Sequence, residues 1–161
     1  NPLRSLCRME DGQAAVELAP EALTPAVVVT QKDVRQVQLA KGAILSGVLA
    51  LLRRAGIEPA DLDRVFVAGQ FGAHLPVSDL TACGILPEIP ADRVEYVGNT
   101  SLSGARAALL SPPVRDEMDR LAGDIEYAEL AGAEGYERLF LDCLEFPKNN
   151  PNDLADDAGQ A

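Results

Sequence analysis

The apolar residues of this chain fall into one long helical stripe and several short runs separated by glycine and proline. Val34, Val37, Lys41 through its aliphatic stem, Ile44, Val48, Leu51 and Leu52 recur at spacings of three and four residues, which puts them on one face of a helix that Gly56 ends. Thr30 stands where an N-cap is needed, and Asp33 follows at the capping-box spacing. Gly42 and Gly47 lower helix propensity by about 1 kcal/mol each relative to Ala. With the small Ala40 and Ala43 near them, they predict a closely packed neighbour on the Ala40, Ala43, Gly47 side.

A strand, glycine turn and helix then follow one another twice. Val65-Phe66-Val67-Ala68 is a continuous apolar run, short enough to read as a strand buried on both faces, and it leads into Gly69-Gln70-Phe71-Gly72 and a short helix over 78–83. Val94-Glu95-Tyr96-Val97 leads into Gly98-Asn99-Thr100-Ser101 and a helix of small residues through Leu110. This repetition predicts an α/β fold with a parallel or mixed sheet and flanking helices. Upstream, 3–9 and 14–18 read as a hairpin about Glu10-Asp11-Gly12, and 26–29 as another short strand. Downstream, the pattern predicts helices over 114–121 and 136–144, with Pro113 at the first helical position of the former, and a strand over 125–130. The divisions are an entry segment with the hairpin at 1–25, an α/β lobe at 26–147 and an acidic tail at 148–161 whose composition predicts disorder.

Charge and cysteine content narrow the function. Fourteen basic against 25 acidic residues give a net charge of −11, a poor match for a nucleic-acid backbone or an anionic membrane surface. No apolar run approaches the roughly 20 residues of a membrane-spanning helix. Cys7, Cys83 and Cys143 are widely spaced, so no usual zinc or iron–sulfur pattern is present, and a sparse, odd count fits a reducing, cytoplasmic compartment. His74 is the only histidine, which excludes a His-rich metal site. The chain opens at Asn1 without an initiator Met, which reads as a piece cut from a longer polypeptide.

The two glycine turns are the places to look for chemistry, because ligands of open α/β sheets bind beyond the carboxyl ends of the strands. Gly98, Asn99, Thr100 and Ser101 combine a close-approach glycine, a side-chain amide, two hydroxyls and the amides of a starting helix. Gly69, Gln70, Phe71 and Gly72 set an aromatic face between two glycines, and Gln31 and Lys32 open the long helix beyond a strand. The combination suits a nucleotide. Turn geometry accounts for the glycines equally well, and helix capping accounts for Thr100 or Ser101, so the residues by themselves leave both readings open. Neither turn has the glycine-Lys-Ser/Thr ending of a phosphate loop or the spacing of a dinucleotide fingerprint. Cys83 and Cys143 read as small core residues and Asp116-Glu117-Met118-Asp119 as a solvated helix face.

Taken in order, VVVTQKDVRQVQLAKGAILSGVLALL, DRVFVAGQFGAHL, GILP and VEYVGNTSLSGARAALLS resemble the carboxyl-terminal domain of the ATP-dependent reductive activators of corrinoid proteins, from about Val27 to Pro147. These belong to the acetate and sugar kinase, Hsp70 and actin superfamily. The resemblance implies one lobe of an actin-like ATPase, in which Gly69 to Gly72 and Gly98 to Ser101 face a nucleotide cleft and Gln31 and Lys32 lie near it. In many relatives the first turn reads Gly-Ala-Phe-Gly-Asn; here Gln70 and Ala73 replace the alanine and the asparagine. Also implied are ATP with Mg in a partial site, a [2Fe–2S] cluster in a region upstream of this chain, and one-electron reduction of cob(II)alamin to cob(I)alamin on a corrinoid protein. The partners implied are that corrinoid protein, the rest of the parent chain and a homodimer. No four-cysteine motif and no superfamily phosphate hairpin is visible, so the lobe alone is expected neither to transfer electrons nor to hydrolyse ATP. Two other readings stay open: a non-catalytic module that docks or dimerises, and the lobe of another kinase of the superfamily.

Overall fold

The computed structural model describes residues 7–10, 12–18, 27–69 and 75–147. Its elements run β1 (Cys7–Glu10), β2 (Gln13–Glu17), β3 (Val28–Thr30), α1 (Gln31–Ala55), β4 (Val65–Ala68), α2 (Val77–Ala82), β5 (Val94–Gly98), α3 (Thr100–Leu110), α4 (Pro112–Asp124) and α5 (Tyr136–Asp142). Among the described residues β1, β2 and β3 form an antiparallel sheet in that order, and β4 and β5 pair in parallel. The architecture is the expected α/β mixture, with the hairpin strand β2 tied to β3 through Ala15 opposite Thr30. No helix among the described residues is long and apolar enough to cross a membrane.

Local chemistry accounts for the ends of α1. Thr30 Oγ1 accepts from the Asp33 N–H at 3.3 Å while Asp33 Oδ2 accepts from the Thr30 N–H at 2.9 Å, the reciprocal box read from the sequence. Gly56 closes the helix in the left-handed region at φ 67°.

The buried face of α1 is only partly the predicted stripe, of which Lys41 is enclosed and Val48 and Leu52 are half-buried. Val34, Val37, Ile44 and Leu51 stay between 39% and 50% exposed, whereas Lys41 and Ser46 are enclosed at 1% and 0%. The reason is what packs there. The carboxyl end of α5 lies against α1, and a helix end presents carbonyls that lack partners within the helix. Lys41 Nζ donates to Cys143 O at 2.7 Å and to Glu145 O, and Gln38 Nε2 donates to Leu144 O at 3.2 Å. Two side chains one helical turn apart thus satisfy three successive carbonyls. Gly42 permits this approach, because a Cβ there would stand 2.8 Å from Leu144 Cδ2. Close packing on a small residue is therefore present, but at Gly42; Ala40 and Ala43 are exposed.

Other expectations need correction. Strand β4 alternates, with Val65 and Val67 half-buried and Phe66 57% exposed, so it is covered on one face only. The stretch 125–130 forms no strand: Ile125 and Tyr127 are 75% and 79% exposed, and no neighbouring strand supplies a ladder. Helix α4 begins one residue earlier than expected, at Pro112, so its first two positions are both proline. Among the described residues the buried apolar side chains are Ala15 in β2, Leu80 in α2, Ile89 in the loop before β5, Leu139 in α5 and Cys143 just after it.

Candidate functional site

Strands β4 and β5 end side by side. The Gly69 N–H donates to Gly98 O at 2.8 Å, and the register slips between Val67 and Ala68 so that Ala68 stands opposite Gly98. Both glycines take positive φ, 101° and 68°, and a Cβ on either would meet nothing within 4 Å. Glycine is required there by backbone conformation, and the space in front of each is open. The Tyr96 hydroxyl donates to Leu75 O, which holds the chain to β5 where it enters α2.

Helix α3 starts directly from the second turn. Its cap is Asn99, whose Oδ1 accepts from the Leu102 N–H at 3.0 Å, and not Thr100 or Ser101. That leaves the Thr100 and Ser101 side chains at the exposed amino end of α3. Gly69, Gly98, Asn99, Thr100 and Ser101 thus share one edge of the parallel pair. Gln70, Phe71, Gly72 and His74 lie outside the described residues.

Gln31 and Lys32 belong to a different feature. They line a cavity of about 390 Å³ with Gln13, Arg35 and Gln36. Lys32 and Arg35 supply two cations, and three glutamines supply both donors and acceptors. The one carboxylate in this first helical turn is committed to the cap: Thr30 Oγ1 donates to Asp33 Oδ2 at 2.6 Å. That hydrogen bond and the one from the Thr30 N–H hold Asp33 below the usual aspartate range, so it remains ionised and occupied. An anion or polar ligand entering the cavity therefore meets donors and no unengaged carboxylate among its lining.

Sequence reasoning missed Gln13, Arg35 and Gln36. Arg35 and Gln36 carry a readable signal, since residues three and four positions on share the helix face of Gln31 and Lys32. Gln13 has none; it arrives because the register sets Ala15 beside Thr30, so β2 passes the start of α1. The cavity lining includes none of the glycine-turn residues.

A family model described as the C-terminal domain of RACo, the ASKHA domain, matches residues 4–156. The chain is 42% identical over 105 residues to the corrinoid activation enzyme RamQ of Eubacterium limosum, which takes in 63% of this chain and 18% of that protein. It is 30% identical over 126 residues to the Co(II) methylated amine-specific corrinoid protein reductase of Methanosarcina barkeri, covering 77% of this chain and 23% of that one. A solved reductive activator for corrinoid, iron-sulfur protein superposes with a TM-score of 0.82 at 29% identity, over 95% of this chain and 25% of its own. The chain thus spans between 18% and 25% of the length of these relatives. With a model matched along nearly its whole length, the chain belongs to the family of the C-terminal ASKHA domain of the corrinoid reductive activators.

Proposed function

We propose that this chain is the nucleotide-binding carboxyl-terminal lobe of a longer activator that couples ATP hydrolysis to one-electron reduction of cob(II)alamin to cob(I)alamin on a corrinoid methyl-carrier protein. The observation that supports it most directly is the donor-lined cavity at the start of α1, in a chain of the ASKHA family. Lys32 and Arg35 would hold phosphate or ribose oxygens by charge-assisted hydrogen bonds, and Gln13, Gln31 and Gln36 would bond to polar edges of the ligand. Gly69 and Gly98, open in front, with Thr100 and Ser101, lie outside this cavity's lining and are a second candidate contact for the nucleotide, at the ends of β4 and β5.

ATP, when bound, supplies the free energy of its hydrolysis to domain closure, which favours a complex where the cobalt is easier to reduce. The cationic and amide lining at the start of α1 would suit the nucleotide. Among the described residues no three His, Cys, Asp or Glu side chains are placed to hold a metal ion. The [2Fe–2S] cluster of the proposed reaction would lie in the region of the longer activator outside this chain.

The test uses the longer activator with its corrinoid protein, following the cob(II)alamin absorbance. Lys32→Ala and Arg35→Ala should each weaken ATP binding by about tenfold or more, as loss of a charge-assisted hydrogen bond predicts. Unchanged ATP affinity in both variants would remove the nucleotide from this cavity.

A further inference from the structure

A second cavity, of about 340 Å³, opens at the other end of α1, between its last turns and the segment leading into α5. Ala50, Leu130, Tyr136 and Leu139 give it an apolar lining. This lining is preformed: Leu139 is buried, and the Tyr136 hydroxyl is pinned at 3.1 Å to Ser46 Oγ, which is fully enclosed. Its volume lies at the lower end of the range for small-molecule sites, about 300–1,000 Å³.

The charges around it are distributed unequally. Arg53 enters from α1 and Glu134 from the segment before α5, and neither has an ion-pair partner among the described residues. The other two are engaged. Arg54 pairs with Glu126, while the Glu129 carboxylate accepts from the Tyr127 hydroxyl at 2.8 Å and the Ala131 N–H at 3.2 Å. Those hydrogen bonds, that from Tyr127 foremost, hold Glu129 below its ordinary range, so it is an anion at neutral pH. An apolar pocket between an unpaired cation on one element and an unpaired anion on another complements a molecule with both charges and an apolar body.

We propose that this cavity binds a small zwitterion of the amino-acid class, about 30 Å along α1 from Lys32. The carboxylate meets the Arg53 guanidinium, the ammonium meets Glu134 with Glu129 beside it, and the side chain lies on Ala50, Leu130 and Leu139. The ligand touches none of the residues assigned to the nucleotide, so either assignment can fail without the other.

The probe is free L-leucine, titrated into the full chain by calorimetry and by NMR chemical-shift perturbation. It is compared with L-leucinamide, which lacks the carboxylate, and 4-methylpentanoate, which lacks the ammonium. Leucine should bind saturably at one site, and each analogue should bind at least tenfold more weakly. Arg53→Gln and Glu134→Gln should show the same loss; both side chains are exposed, and circular dichroism will report that the variants fold. Ala50→Leu, which fills the apolar end, should abolish binding. An analogue that binds as tightly as leucine overturns the zwitterion assignment. Absence of saturable binding by L-leucine and L-phenylalanine up to about 50 mM overturns the site itself.

Discussion

Replacing Lys41 with Met probes the join between α1 and α5. Methionine keeps the length and volume of the stem and removes the ammonium, which is 1% exposed, donates to Cys143 O at 2.7 Å and to Glu145 O, and sits 5.4 Å from the centre of the Phe146 ring. Two effects oppose. Removing a buried ammonium relieves a desolvation penalty of several kcal/mol. Against this, two carbonyls at the end of α5 lose their donor, at about 1–3 kcal/mol each, and the ring loses a cation contact worth about 0.5–2 kcal/mol. No water-exposed route replaces that donor in a close-packed seam, so the net expectation is destabilisation of about 2–4 kcal/mol, measured as a lower urea midpoint with unchanged slope. The pH dependence carries a sign. Burial pulls the Lys41 pKa below its ordinary 10.5, so just below that pH the unfolded chain binds more protons than the native one. Stability of the unaltered chain should therefore rise with pH across that alkaline window relative to the Met variant. A Met variant as stable as its parent at neutral pH would show that the ammonium does not hold the helix end, and a flat difference across the window would show that burial does not lower the Lys41 pKa.

Three further outcomes are expected. Thr30→Ala removes the cap of α1 and should cost about 1 kcal/mol in urea denaturation, with helical content falling first at the amino end; no measurable loss would mean the box is not formed in solution. Gly98→Val puts a β-branched residue at φ 68° with no steric neighbour, so backbone strain alone should cost about 1–3 kcal/mol. In the longer activator it should also impair nucleotide-dependent reduction, and a folded variant with normal reduction would reassign Gly98 to turn geometry. Calorimetric titration of the isolated chain with ATP should show weak or undetectable binding, because one lobe supplies only part of the contact area. Micromolar affinity would show that the site is nearly complete in these residues.

What was readable beforehand was local. The box at Thr30 and Asp33, the left-handed stop at Gly56, the glycines that end β4 and β5, and the prolines that open α4 each depend on a residue's own backbone or on neighbours within four positions. A phrase such as AGQFG followed by VGNTSLSGA carried the family because the order of such local devices is itself a pattern. What depended on distant partners was not readable. Alternation over 125–130 predicts a strand only where another strand stands beside it, and among the described residues none does. The stripe of Val34, Val37, Lys41, Ile44, Val48, Leu51 and Leu52 says that α1 is amphipathic, but which part of it is enclosed against α5 is selected by orphan carbonyls that take up Lys41 and Gln38 and by the space at Gly42. Gln13 reaches the start of α1 only through sheet register. The cap and stop of α1, the glycine turns after β4 and β5 and the family were legible in the residues, since those local energies are set within a turn of the chain. The tertiary structure alone decided which face of α1 is buried and which side chains from β2 and α1 line one cavity, because those energies belong to contacts a hundred residues apart or across a sheet.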